Sequence, residues 1–410
     1  MSAFLLAVSQ VFGGIDRLRS EDTVTKHSTD YLLIEDQQSL NEFCQQAANC
    51  TVLALDTEFV RTRTLYAELG LIQAFDGHSL VLIDPLSDLD LEPFWQLLTK
   101  PDIVKVLHSC HEDLEVFKFY AHRLPSPLFD TQIAGQFLFQ GKVLGFGPAV
   151  TQELGIELDK GEARTNWIKR PLSDKQLMYA ANDVKYLLPL YHSLNDKLAQ
   201  AGLQAYNLAE AQFKVEQKLR EKDVERLYLD FGNAWQLKPR ELAILQELCR
   251  WRLSVAQKRN LALGFVAKDA SLFSIAQRRP ADLNSLKNIP DINPHEVRIH
   301  GKAMLACVER GKQISIEACP EKVPRLTDLS KYKQGLKQLK QAITRVAEHT
   351  QVPIEMLATK KQLNQWIKWH WQMAYAEQPD FIASWREPLL TKVLETWGSK
   401  FPSAADVTQG

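Results

Sequence analysis

Residues 51–64 read TVLALDTEFVRTRT. The stretch opens as an apolar run, the pattern of a buried strand. It then places Asp56 and Glu58 where that pattern should stay apolar. Carboxylates are costly to take out of water unless a charge compensates them. Either a metal ion or a basic partner meets them, or the strand ends at Leu55 and both acids are solvated. Side chains at i and i+2 of a strand share a face. Asp56 and Glu58 therefore project together at the strand's C-terminal end, where α/β sheets place their ligands. Two hard oxygen donors there suit Mg2+ or Mn2+.

The flanking sequence extends this strand into a sheet. LGLIQAF (69–75) and SLVLID (79–84) are further strands, joined by Asp76-Gly77, a strong hairpin signal. A helix near 91–99, the strand IVKVLH (103–108) and a helix beginning near Ser109 follow. LFDTQIAGQFLF (128–139) reads as a short strand running into a helix. A long helix spans about Leu172 to Ala199, opened by Ser173 and Gln176 at capping-box spacing. A meander of three strands followed by strands alternating with helices predicts an α/β domain with a mixed sheet.

Beyond Asn233 the strand signals fade. PRELAILQELCRWRLSVAQKRN (239–260) and DLSKYKQGLKQLKQAITRVAEHT (328–350) are amphipathic helical patterns. FVAKDASL (265–272) aligns with MLATKKQL (356–363) at an offset of 91, which predicts two copies of one small helical unit. EACPEKVPRL (317–326), with two prolines, is the expected linker.

The 410 residues are 45% apolar and 24% charged, the mix of a globular protein of several domains. No apolar run reaches the ~18 residues of a membrane span. MSAFLLAVSQVFGG at the start lacks the preceding basic residues of a signal peptide. Six scattered cysteines without a C-x-x-C pair argue against a zinc knuckle or disulfide frame and fit a reducing cytoplasm. The net charge of −1 hides an asymmetry. Residues 1–234 hold 22 Lys+Arg against 33 Asp+Glu, net −11, whereas residues 235–410 hold 27 against 17, net +10. A basic half of this kind suits a polyanionic partner, although two solvated domains of unequal surface would give the same count.

Two further stretches carry acids. In LHSCHEDLEVF (107–117), Ser109 and Glu112 fit a capping box, which leaves Asp113 without a structural reason. His108 and His111 lie across a strand–helix turn, a spacing that rarely aims two imidazoles at one ion. In LMYAANDVKYLL (177–188), Tyr179 and Asp183 are i and i+4 on the long helix and share a face.

Asp-x-Glu on a first strand, an Asp after a later strand and Tyr-x-x-x-Asp on a late helix resemble the DEDD exonuclease superfamily. From about Asp30 to Phe401 the chain is similar to the bacterial ribonuclease D family, through ALDTEFVRTRT, GLIQ, IDP, LHSCHEDLEVF, DTQI, YAANDVKYLLPL and NAWQL. The two helical units resemble HRDC domains, found in that family and in RecQ-type helicases. The resemblance implies a ribonuclease H-like mixed sheet flanked by helices, followed by two all-α HRDC bundles. It divides the chain into an N-terminal extension (1–28), a 3′→5′ exonuclease domain (29–220) and HRDC domains at 234–316 and 325–402. It makes Asp56, Glu58, Asp113 and Asp183 the metal-site acids and Tyr179 the residue that positions the attacking water. Members of the other branch carry His five residues before the last Asp. Met178 occupies that position here, so the chain falls in the tyrosine branch.

The implied reaction is hydrolysis of RNA from its 3′ end to 5′-mononucleotides, with two divalent ions (Mg2+, or alternatively Mn2+) roughly 3.5–4 Å apart. Asp56 is expected to bridge both ions, with Glu58 and Asp183 on the nucleophile side and Asp113 acting directly or through water. Phe59 is the expected base wedge, Arg61 and Arg63 phosphate contacts, and Asn182 a further substrate contact. The expected partner is RNA, including precursor tRNA 3′ ends, gripped by the basic helices at 250–259 and 331–345. A cytoplasmic monomer is expected. A DNA exonuclease and an inactive binding module are the rival readings. The intact set of acids disfavours the second, and the lack of a G-x-x-x-x-G-K-[ST] loop disfavours a helicase.

Overall fold

The computed structural model describes residues 31–159, 161–290 and 292–402. The expected N-terminal extension at 1–28 lies outside the described residues. Six strands make one sheet: β1 (Leu32–Ile34), β2 (Val52–Val60), β3 (Glu68–Phe75), β4 (Leu80–Ile83), β5 (Val104–Leu107) and β6 (Leu128–Asp130), in the order β1-β4-β3-β2-β5-β6. β2–β3 and β3–β4 pair antiparallel, while β1–β4, β2–β5 and β5–β6 pair parallel, giving the expected mixed sheet. The hairpin forms at Asp76-Gly77. The Asp76 carboxylate accepts from the amides of His78 (2.8 Å) and Ser79 (2.7 Å), and Gly77 takes φ +94°, a left-handed value that glycine adopts without Cβ strain.

Seven helices cover this sheet: α1 (Gln37–Ala47), α2 (Glu92–Leu97), α3 (His111–Tyr120), α4 (Thr131–Leu138), α5 (Phe146–Leu154), α6 (Asp174–Gln200) and α7 (Gln204–Leu219). α6 opens with the expected capping box between Ser173 and Gln176 and packs across β2, β3, β4 and β5. β2 lies between β3 and β5, so Leu53, Ala54 and Leu55 are fully buried.

The start of α3 departs from expectation. Ser109 sits at φ +60°, and the helix begins at His111 without a side-chain cap. The buried Asp130 at the end of β6 takes the role of cap. Its carboxylate accepts from the amides of Ser109 (3.1 Å) and Cys110 (2.8 Å), and also from those of Gln132 (2.7 Å) and Ile133 (3.2 Å). The Ser109–Glu112 capping box therefore does not form, and Glu112 pairs with Arg61 instead (2.7 Å).

The rest of the chain is helical. The first unit contains α8 (Pro239–Arg259), α9 (Leu263–Val266), α10 (Asp269–Arg278), α11 (Leu283–Lys287) and α12 (Pro294–Gln313). The second contains α13 (Tyr332–Thr350), α14 (Ile354–Leu357), α15 (Lys360–His370) and α16 (Glu387–Lys400). The offset of 91 is structural: α8 and α13 end 91 residues apart, α9 and α14 match end for end, and α10 and α15 start 91 apart. Asn260 and Gln351, each closing the first helix of its unit, both take left-handed φ (46° and 59°).

The two units attach to the sheet differently. Leu242, Leu245, Leu248, Ile275 and Met304 belong to a core separate from that of the α/β unit. Leu339, Ile343, Leu357, Ile367 and Trp397 instead continue the core that runs through the sheet. At the second junction Arg386 and Glu210 form an ion pair at 2.8 Å with only 2% and 4% of their side chains exposed, and Trp385 donates to the same Glu210 carboxylate (2.9 Å). The expected basic grip at 250–259 is partly consumed by the fold. Arg250 pairs with Glu225 and Glu247, and the buried Arg252 pairs with Asp269 (2.5 Å), whereas Lys258 and Arg259 remain exposed.

Candidate active site

β2 presents Asp56 and Glu58 on the face covered by α6, which brings Asp183 onto them. Carboxylate oxygens of Asp56, Glu58 and Asp183 lie within 4.8 Å of one another. Tyr179, one turn before Asp183, bonds to its carboxylate through the phenol hydroxyl. Asp113, in the first turn of α3, is buried and stands outside the tight trio. It accepts a 2.6 Å hydrogen bond from Thr57, the buried residue between the two strand acids. Thr57 stands between Asp56 and Glu58 on β2, so this bond ties the α3 carboxylate to the strand that carries them.

Three like charges this close, in a desolvated setting, resist ionisation. Withdrawal from water first, then the charges of Asp113, Asp183 and Glu58, hold the Asp56 carboxyl well above its ordinary range. Burial, then the charges of Asp183 and Asp113, push Glu58 up to about 9. Burial raises Asp183 to about 7, partly offset by the Tyr179 hydroxyl. Burial raises Asp113 to about 6, against the lowering bond from Thr57. Burial and the adjacent carboxylates drive the Tyr179 phenol far above its usual value, so it stays a hydrogen-bond donor. A set of hard oxygen donors that cannot all ionise together fits divalent cations, which supply the missing positive charge.

Asp56, Tyr179 and Asp183 line a cavity of about 370 Å³, walled on the other side by His108, Phe146, Pro148 and Leu158. That volume lies in the range of small-ligand sites. His108 is held by Thr131 (2.8 Å) and the Leu144 carbonyl (3.2 Å), while His111 is exposed beside Glu115 (3.8 Å), so the two imidazoles do not converge. The substrate candidates do not line this cavity. Phe59 is half-buried and packs against the core. Arg61 is held by Glu112 (2.7 Å) and Glu115 (2.5 Å). Arg63 lies over the Phe265 ring of the first helical unit at 5.3 Å. Asn182 is half-buried on α6.

Thr57, Phe146 and Trp167 were not legible as site residues. Trp167 is 1% exposed, and its ring centroid stands 6.2 Å from that of Tyr179. Thr57 carried a faint signal, a polar residue alternating with two acids. Phe146 and Trp167 carried none, because they come from loops and helix starts with no periodic pattern.

Comparison with known proteins agrees with this geometry. Residues 31–199 match the 3′-5′ exonuclease family, residues 241–308 the HRDC domain, and residues 330–394 the ribonuclease D C-terminal HRDC domain. Ribonuclease D of Shewanella sp. (strain ANA-3) is 41% identical over 369 residues, covering 90% of this chain and 94% of that protein. Ribonuclease D of Escherichia coli (strain K12) is 39% identical over 374 residues, covering 91% and 100%. The crystal structure of E. coli RNase D superposes with a TM-score of 0.86 at 38% identity, covering 91% of this chain and all of that one. The chain thus belongs to the ribonuclease D family and is a 3′→5′ exoribonuclease.

Proposed function

We propose that the enzyme hydrolyses RNA from its 3′ end to 5′-mononucleotides with two divalent ions, Mg2+ or alternatively Mn2+, and that it trims precursor tRNA 3′ ends as a cytoplasmic monomer. The observation that carries this reading is the meeting of Asp56, Glu58 and Asp183 oxygens within 4.8 Å beside the Tyr179 hydroxyl. Asp56, Glu58, Asp113 and Asp183 would hold the ions, Asp56 shared between them and Asp113 directly or through water. Bound there, divalent ions supply an activated water and offset charge on the phosphate and the leaving 3′-oxygen. Four carboxylates balance the charge of two such ions. Tyr179, kept protonated, orients the attacking water by a hydrogen bond and does not act as a base.

The E. coli structure is described as that of an exoribonuclease involved in structured RNA processing. The same substrate class suits the exposed lysines of α13, Lys333, Lys337 and Lys340, which grip a phosphate backbone without reading bases. Phe59 as a base wedge, and Arg61, Arg63 and Asn182 as substrate contacts, belong to this reading once substrate draws the arginines from their present partners. We divide the chain into an exonuclease domain at 29–220 and HRDC domains at 234–316 and 325–402, after an extension at 1–28. The deciding experiment is a time course on a 3′-extended tRNA with Mg2+, Mn2+ or chelator, products resolved by size. Stepwise shortening with release of 5′-mononucleotides, abolished by chelator, is expected. Internal fragments, or full activity under chelation, would refute the reading.

A further inference from the structure

Two motifs of the sequence, GLIQ (70–73) and IDP (83–85), lie outside the site as described, yet one side chain joins them. The Arg170 guanidinium uses all of its donors. Nε donates to Asp84 Oδ2 (2.5 Å) and Nη2 to Asp84 Oδ1 (2.6 Å) and the Gly70 carbonyl (2.6 Å). Nη1 donates to the carbonyls of Trp167 (2.8 Å) and Lys169 (3.1 Å). Asp84, just past the end of β4, is buried, and its Oδ1 also accepts from the Leu86 amide (2.9 Å). A planar fork on a buried carboxylate is the strong form of ion pair.

Gly70 is the additional residue of a bulge in β3, opposite the Glu58–Phe59 step. A Cβ on Gly70 would come within 2.6 Å of the Trp167 carbonyl oxygen and 2.8 Å of its Cβ. Trp167 is therefore wedged between the bulged strand and α6, its ring next to Tyr179 at 6.2 Å and 43°. The start of α6 is tied to the same segment, since Gln176 donates to Thr165 at 3.0 Å. The bulge lies across from the strand acids, and the wedge lies beside the helix that carries Tyr179 and Asp183.

We propose that Arg170, anchored on Asp84 and the Gly70 carbonyl, is a positioning residue: it seats Trp167 as the stop that sets the Tyr179 hydroxyl against Asp183. This rests on the reading that Tyr179 orients the attacking water, and it names what fixes that tyrosine in place. The bonds of Arg170 go to Asp84 and to the Gly70, Trp167 and Lys169 carbonyls and to none of Asp56, Glu58, Asp113 and Asp183, so the inferred effect on the reaction passes through Tyr179. Arg170→Lys retains the charge and loses the fork, and Asp84→Asn retains the shape and loses the charge.

The test uses the full chain and two measurements. First, 3-fluorotyrosine is placed at position 179 and its 19F resonance is recorded in metal-free protein. Both Arg170→Lys and Asp84→Asn are expected to shift or broaden the line, with melting curves showing folded protein. Second, kcat and KM are measured on a short unstructured RNA, with Mn2+ affinity by calorimetry. Arg170→Lys is expected to lower kcat by about tenfold, as a displaced orienting group does, with KM and Mn2+ affinity within about twofold of wild type. In a Tyr179→Phe background the same change should cost less than about twofold, because coupled residues are not additive. An unmoved 19F line overturns the inference, as does an equal loss in both backgrounds or a parallel loss of Mn2+ binding. If Tyr179→Phe leaves the rate unchanged while the 19F line moves, the positioning stands and the role given to Tyr179 falls. If Arg170→Lys does not fold, Asp84→Asn decides by the same readouts.

Discussion

Asp56 sits among three other carboxylates whose charges all act to keep it protonated. That makes it costly to the metal-free fold and valuable to the loaded enzyme. On the proposed two-ion reading Asp56→Asn removes a ligand common to both ions, so we expect turnover on a short RNA to fall at least ~10³-fold, the scale of losing several kcal/mol of metal-based stabilisation. RNA affinity should persist, and the chelated protein should melt no lower than wild type, because a repelled charge is gone. Tyr179→Phe leaves the acids in place and should cost roughly 10²-fold, in the range of one oriented hydrogen bond or proton transfer.

The pH dependence follows from the raised carboxyls. An acid whose folded pKa exceeds its unfolded value favours folding below that value. Its stabilisation is lost as pH rises, because the unfolded chain releases the proton first. With ordinary values of 3.8 and 4.5 and folded values of about 6, 7 and 9 for Asp113, Asp183 and Glu58, the window runs from about pH 4 to about pH 9. Chelated protein should therefore lose melting temperature as pH rises from 5 to 9, and the gain on adding Mn2+ should grow over the same interval. A metal-induced gain that stays flat with pH would contradict the shared site.

The strand β2 and the helix α6 were readable because each carries a local pattern, an unbroken apolar run in the first and a capped amphipathic run in the second. The hairpin was readable from Asp76-Gly77. The start of α3 was not, because its cap comes from Asp130, some twenty residues on, and local spacing cannot report a partner that distant. The bulge at Gly70 was equally silent: one glycine in a strand does not say what will press against it. The contact with Trp167 makes a firm prediction. Gly70→Ala forces Trp167 away from β3, and overpacking of this kind costs about 1–3 kcal/mol. We expect a lower denaturation midpoint and a fall in kcat larger than any change in KM. A variant as stable and active as wild type would mean that Trp167 moves freely.

The assembled chain joins an acidic α/β unit to two basic helical units, one with a core of its own and one sharing the core of the sheet. Deleting residues 235–410 would strip the cover from that shared core, so RNA gripping is better tested by surface charge. Replacing the exposed Lys333, Lys337 and Lys340 by Gln should reduce the slope of log affinity against log salt by about 2, at roughly 0.7 per phosphate contact. The rate on a saturating short oligomer should be unchanged. An unaltered slope would place the RNA elsewhere. The junction itself rests on Glu210 and Arg386. Glu210→Ala leaves Arg386 buried and unpaired, a loss of about 3–5 kcal/mol. We expect a several-degree drop in melting temperature, and Arg386→Ala combined with it should cost less than the two single losses added together.

Patterned segments were settled along the chain itself: strands, long helices, the repeat at offset 91 and the acids that break an apolar run. These depend on periodicity and on residue chemistry, both local quantities. The pairing of Thr57 with Asp113, the service of Asp130 as a cap, the wedge of Trp167 under Arg170 and the capture of Arg61 by two glutamates were settled only when distant segments met. Each depends on segments far apart in sequence that packing brings together, Gly70 against Trp167 among them, and no spacing rule encodes which partners a polar group will meet there.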